Sequence, residues 1–261
     1  DVMALLSKAG CNAGPCHGNA NGKGGFKLSL RGEDLRFDFE ALTRDQFGRR
    51  VNLIEPDQSL LLLKPTTQVA HEGGRRFETN SAGYRILRDW IARGAAQDVE
   101  SAPRLTRLEV TPQERILVEP ESTVQLSARA FFSDGTSRDV TGMAVYETAV
   151  PNVAISDDGR VTRTRFGETT VLVRYLDQQR PVRLAFVPAR PEFRWEKPPV
   201  HNFIDRFVFA KLRAHRVNPS PLVEDGTFMR RAYLDLLGIL PTADEAKAFV
   251  ADRDRAKRRK L

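Results

Sequence analysis

No run of about 18 consecutive apolar residues occurs in the 261-residue chain, so a membrane-crossing helix is not expected. A secretory leader is missing too. The chain opens directly on Asp1, Val2 and Met3, which predicts a leader already removed or a start inside a longer protein. Charge of one sign is scarce over most of the length. Residues 1–100 hold 14 Lys/Arg against 13 Asp/Glu, and residues 101–190 hold 12 against 11. The excess sits in residues 191–261, with 15 against 10, and is densest in 253–260. A nucleic-acid binder carries a basic face on a folded domain; here the basic run reads as a solvated helix end, and no nucleic-acid partner is expected. Sulfur is scarce as well: there are two cysteines, Cys11 and Cys16, and three methionines.

What remains is an ordinary globular composition, 41% hydrophobic and 29% charged. The length suits two or three domains of roughly 100–150 residues. Three segments differ in pattern. In residues 1–100, Val2, Leu5 and Leu6 predict a short helix before Gly10. A glycine-rich loop follows from Gly18 to Gly25. Pro56 to Ser59 reads as a helix start ahead of Leu60–Leu63. A second loop, Thr66–Thr79, leads into a helix opened by Ser81, with Tyr84, Leu87, Trp90 and Ile91 on one face and Gly94 as its stop. Residues 103–188 change to period two. Thr123–Phe131 alternates as a half-buried strand, Ser133–Thr136 and Asp157–Val161 read as turns, and Thr169–Tyr175 as another strand, which predicts an antiparallel sandwich. After a proline-rich linker (188–199), residues 200–261 read as helices at 201–216 and about 225–237, then one capped by Thr242. Phe203, Ile204, Phe207, Val208 and Leu212 share one face of the first. The last helix runs into the basic terminus without a stop signal, which predicts a truncated segment.

The chemistry concentrates in Cys11, Cys16 and His17. Two thiols followed at once by an imidazole are what covalent haem attachment uses: each sulfur forms a thioether with one vinyl group, and the histidine binds iron from the same side. The usual attachment motif has two residues between the cysteines; here Asn12, Ala13, Gly14 and Pro15 intervene, and Gly14 with Pro15 suits a tight turn. A Cys11–Cys16 disulfide, a zinc site and a pair of structural cysteines stay open as alternatives. For the sixth iron position no methionine lies between His17 and Trp90; Met3, Met143 and Met229 fall elsewhere. His71, on the loop before the Tyr84–Ile91 helix, is the expected second iron ligand, with a solvated loop histidine or His201 as alternatives. Arg75 and Arg76 beside it are candidates for the haem propionates, Arg49 and Arg50 being further options. Tyr84 and Trp90 are expected against the ring.

Cys11–Gly18 (CNAGPCHG), Gly22–Arg31 (GKGGFKLSLR) and His71–Phe77 (HEGGRRF) resemble the planctomycete-type cytochrome c domain. Phe132–Thr141 (FSDGTSRDVT) and Pro151–Val161 (PNVAISDDGRV) resemble a bacterial group 2 immunoglobulin-like domain. Asn202–Leu212 (NFIDRFVFAKL) and Arg230–Thr242 (RRAYLDLLGILPT) resemble the opening of a planctomycete helical domain of unknown function. The resemblance implies a multidomain α + β chain: a small all-α class I-like cytochrome c domain at 1–100, an immunoglobulin-like antiparallel β-sandwich at 103–188 and a short α-helical segment at 200–261. It further implies a periplasmic or otherwise extracytoplasmic location. The function expected is electron transfer by one covalent haem c with bis-His iron, to a redox partner the sequence does not identify. The alternative is a haem sensor or haem-dependent enzyme module whose sixth site is open or displaceable.

Overall fold

A computed structural model describes all 261 residues. They form two compact units, Asp1–Pro191 and Glu192–Leu261. No helix is long and apolar enough to cross a membrane.

In the first unit the helices are short: α1 (Val2–Lys8), α2 (Leu35–Thr43), α3 (Leu60–Leu63) and α4 (Ala82–Ala92). Their ends follow local chemistry. The Asp34 side chain caps α2 by accepting from Phe37 N, and Ser81 caps α4 by accepting from Tyr84 N. Between α1 and α2 the chain is irregular, because glycines at 10, 14, 18, 22, 24 and 25 disfavour regular helix. Leu5, Leu6, Leu28, Leu42, Leu62, Leu87 and Ile91 close a small apolar core.

Ten strands follow: β1 (Leu105–Thr111), β2 (Glu114–Val118), β3 (Thr123–Gln125), β4 (Ser127–Phe132), β5 (Ser137–Asp139), β6 (Val145–Thr148), β7 (Val153–Ile155), β8 (Arg160–Arg163), β9 (Gly167–Tyr175) and β10 (Gln178–Val187). They make three sheets, ordered β1-β4-β5, β2-β10-β9-β6 and β3-β8-β7, around a core that includes Leu117, Leu126, Val161, Val171, Val173 and Val182.

These findings correct the expected fold class. The chain is mixed α and β, a β-rich middle with helical parts at its ends, and its helical first part is not a small all-α class I-like domain of its own, because it forms one compact unit with the β region. Nor is the middle purely antiparallel, because β2 runs parallel to β10. Pro112 gives the physical reason: it has no N–H to continue the β1–β4 ladder beyond Thr111↔Ser127, and the chain crosses to the other sheet. The expected single strand Thr123–Phe131 also divides. Leu126 is fully buried and its N–H donates to Gly159 O (2.9 Å), so β3 pairs with β8 while β4 pairs with β1.

The helical part and the β region share one unit through specific contacts. Ala4 of α1 belongs to the β core, and Met143 packs against both cores. Lys8 Nζ donates to Ala144 O and Asp157 O, both at 2.8 Å, and lies 5.1 Å from the Tyr146 ring centre. Arg138 pairs with Asp1 at 3.0 Å.

The second unit contains α5 (Phe203–Ala214), α6 (Asp225–Leu237), α7 (Ala243–Ala251) and α8 (Lys257–Lys260). Asn202 and Thr242 open α5 and α7 with capping boxes, and Gly238 (φ 70°) ends α6 in the left-handed conformation. Two sequence expectations change here. Phe203 and Phe207 are 70% and 74% exposed, so the apolar stripe of α5 is not a buried face. The basic terminus is not simply solvated: α7 stops at Ala251, and Lys257 and Arg258 bind the Asp225 carboxylate at 2.6 and 2.7 Å.

Candidate functional site

The first unit contains a cavity of about 770 Å³, within the range of about 300–1,000 Å³ common for ligand and cofactor pockets. Cys11, Cys16, His17 and His71 all line it, with Leu6, Phe26, Leu28, Leu60, Leu61 and Pro65 among its apolar walls.

The chain from α1 to His17 is folded tightly. Cys11 N donates to Leu6 O (2.8 Å), Cys16 N and Gly18 N both donate to Ala13 O (3.0 Å), and His17 N returns to Cys11 O (3.0 Å). Asn12 is buried and bonds Ser7 Oγ at 2.8 Å. The four intervening residues thus make a compact loop and put both sulfurs on the cavity. Gly18 permits it by close approach: a Cβ there would lie 2.1 Å from Asn12 O. Burial pushes the Cys11 thiol up to about 11. Arg76 Nη2 lies 3.5 Å from Cys16 Sγ as donor.

The two imidazoles face one another, with centroids 6.4 Å apart and planes 17° from parallel. Each ring is oriented by a backbone carbonyl at Nδ1: Phe26 O for His17 and Gly74 O for His71, both at 2.8 Å. That leaves Nε2 of each ring free to bind a metal. His17 also packs on Phe26 (4.6 Å between centroids), and the Arg50 guanidinium carbon lies 4.3 Å from the centre of that phenyl ring. Burial, with the charges of His71 and Arg50, holds the His17 imidazole below its ordinary range. Gly73 makes room for His71: a Cβ there would sit 2.8 Å from its Cε1.

The ring centres are 6.4 Å apart, and a metal ion held here would take its donors from Nε2 of His17 and of His71. The cavity lining thus offers two imidazoles and two thiols, donors that would suit a metal-centred cofactor.

The remaining candidates divide. Arg76 lines the cavity, whereas Arg75 is exposed and pairs with Glu78 at 2.6 Å. Tyr84 lies in the helical core and its hydroxyl donates to Asp57 Oδ1 (2.7 Å); burial and that carboxylate push it up to about 12. Trp90 donates from Nε1 to Ala96 O at 3.1 Å. Neither aromatic lines the cavity. Phe26, which does, follows Gly24 and Gly25 in a loop with no periodicity to mark it. Arg49 also lines the cavity, as does Arg50, buried and donating to Ala41 O and Asp45 O.

Comparison with known proteins touches other parts of the chain. Residues 203–261 match a family described as PSCyt2, protein of unknown function (DUF1549). No curated protein matches. Among solved structures, surface layer protein SbsC domains 1–6 is 16% identical over 34% of this chain and 14% of that one, with a TM-score of 0.29. SbsC domains 4–9 gives 16%, 34%, 15% and 0.29, and SbsC domains 4 and 5 gives 15%, 33%, 54% and 0.28. The chain thus spans about a seventh of the first two surface-layer chains. These findings correct the resemblance read for residues 1–188. The family match is confined to 203–261, the span where a helical domain of unknown function was expected, and Cys11 and Cys16 lack the two-residue spacing of the usual attachment motif. Membership in a planctomycete-type cytochrome c family followed by a bacterial group 2 immunoglobulin-like domain is therefore not supported.

Proposed function

We propose that the cavity of the first unit holds one haem, attached through thioethers to Cys11 and Cys16 and ligated by His17 and His71, and that the protein transfers electrons outside the cytoplasm. The observation that carries this reading is the neighbouring, near-parallel pair of imidazoles on the cavity wall, 6.4 Å apart with both Nδ1 atoms tied to backbone carbonyls. When bound, the group supplies an iron that alternates between ferric and ferrous states.

The chain's own residues orient and enclose. The Phe26 and Gly74 carbonyls fix the direction of each ring before any ligand enters, which lowers the cost of ordering them on binding. Leu6, Leu28, Leu61 and Phe26 form apolar walls of the cavity. The Asn12–Pro15 loop brings Cys11 and Cys16 to the same cavity as His17, and these thiols would attach the group. Two imidazoles favour the ferric state more than a thioether ligand does, so a low potential is expected.

A second reading draws on the position of His71. It sits on a loop, only half-buried, with Gly74 in the left-handed region (φ 69°), whereas the His17 segment is held by backbone bonds from Leu28 N and to Cys11 O. That asymmetry suits a haem sensor or enzyme module whose sixth ligand is displaced by a small molecule.

The test is acid–acetone extraction of the protein expressed with haem-attachment machinery. Pigment should stay with the wild-type chain and be lost from a C11A/C16A variant. Pigment that extracts freely from the wild type, or a colourless wild type, would overturn the covalent haem.

A further inference from the structure

We infer that Arg49 is the residue that binds an acidic substituent of the cavity's ligand, and so selects a planar dicarboxylate over its uncharged ester. This assignment rests on the haem reading above. Five cationic side chains line the cavity against one acid, Glu72, so the site as built is short of negative charge. Four of the five are engaged. Lys23 pairs with Glu72 at 3.4 Å. Lys64 Nζ donates to Ala70 O at 3.1 Å. Arg76 is directed at Cys16 Sγ. Arg50 is buried, with Nη1 donating to two carbonyls and its plane against Phe26. The Arg49 guanidinium alone has no hydrogen-bond or ion-pair partner within the protein.

The backbone before it is unusual. Gln46, Phe47 and Gly48 are consecutive left-handed residues (φ 55°, 60° and 67°). That conformation is unfavourable for the first two, and such strain gathers where a loop must present a functional group. The turn places Gln46, Arg49 and Arg50 on the cavity. A guanidinium offers a planar pair of donors that matches a carboxylate, a geometry lysine does not reproduce.

The experiment titrates the full chain, prepared without haem, with iron protoporphyrin and with its dimethyl ester, following the visible absorbance. The wild type should prefer the dicarboxylate by on the order of tenfold, the worth of one charge-assisted hydrogen-bonded pair. Arg49→Gln should lose that preference while still binding the ester as the wild type does, and Arg49→Lys should keep part of it. Arg75→Gln, a change at an exposed arginine away from the cavity, should leave it intact. An unchanged preference in Arg49→Gln, or equal loss in Arg75→Gln, would overturn the assignment to Arg49 with the haem reading still standing. If the wild type binds neither porphyrin, the haem reading itself fails and the assignment with it.

Discussion

Gly18 and Gly14 provide a matched pair of substitutions within the cysteine loop. A Cβ on Gly18 would lie 2.1 Å from Asn12 O and 2.7 Å from its carbonyl carbon, whereas one on Gly14 meets nothing within 4 Å. Neither residue has a positive φ, so the contrast is one of space alone. In Gly18→Ala the obstacle is backbone, and the loop must open by roughly 1 Å to reach ordinary contact. Opening strains the bonds from Gly18 N to Ala13 O and from His17 N to Cys11 O. Overpacking costs about 1–3 kcal/mol and each of the two weakened backbone bonds about 1 kcal/mol, or about 3–5 kcal/mol together. For a cooperative unit of this size that lowers Tm by about 6–20 °C. Gly14→Ala should leave Tm unchanged or slightly higher, because alanine restricts the unfolded chain. Thermal unfolding by circular dichroism measures both, and pigment per chain should fall in Gly18→Ala only. Equal Tm values for the two variants would refute the close-approach reasoning.

Three further outcomes are expected. Lys8→Met should cost about 2 kcal/mol, since Ala144 is buried and its carbonyl loses its donor while Asp157 O turns to water; hydrogen exchange should then quicken in α4 and β9 together, and a change limited to α1 would show that the helical part and β region are not coupled. The Tyr84 hydroxyl and Arg88 hold the Asp57 carboxyl below the usual carboxylate range, so its contribution is present above about pH 4 and is lost as pH falls through the folded value; Asp57→Asn should flatten the acid limb of Tm against pH, and parallel limbs would contradict this. Tyr84, pushed up to about 12, gives stability that is full below about pH 10 and lost as pH rises toward 12, so Tyr84→Phe should shallow the alkaline decline, to which Tyr146, also pushed up to about 12 by burial, contributes as well; an unchanged alkaline limb would contradict this.

The parts of the fold that depend on neighbours in sequence were legible. Caps at Ser81 and Thr242, and the alternation in β4 and β9, are local. What was hidden depends on partners far along the chain. Thr123–Phe131 alternates without a break, yet Leu126 marks a change of sheet that only Gly159 reveals. The basic terminus reads as solvated until Asp225, some 30 residues earlier, is placed beside it. At the site, Cys11, Cys16, His17 and His71 all line one cavity. The arginines were not separable by sequence: Arg75 and Arg76 differ by one position on a loop of no fixed period, and one meets Glu78 while the other meets Cys16. Tyr84 and Trp90 are explained by core packing and by their hydrogen bonds to Asp57 and Ala96.

The most direct measurement of the central claim is the visible spectrum of His71→Ala beside the wild type, oxidised and reduced. The wild type should be low-spin in both states, with a sharp ferrous α band and no response to carbon monoxide, as two imidazole ligands require. His71→Ala should become high-spin and bind carbon monoxide, with its pigment still covalently held. A pigmented His71→Ala with an unchanged low-spin spectrum would contradict ligation by His71 and leave the facing pair of rings without the role assigned to it.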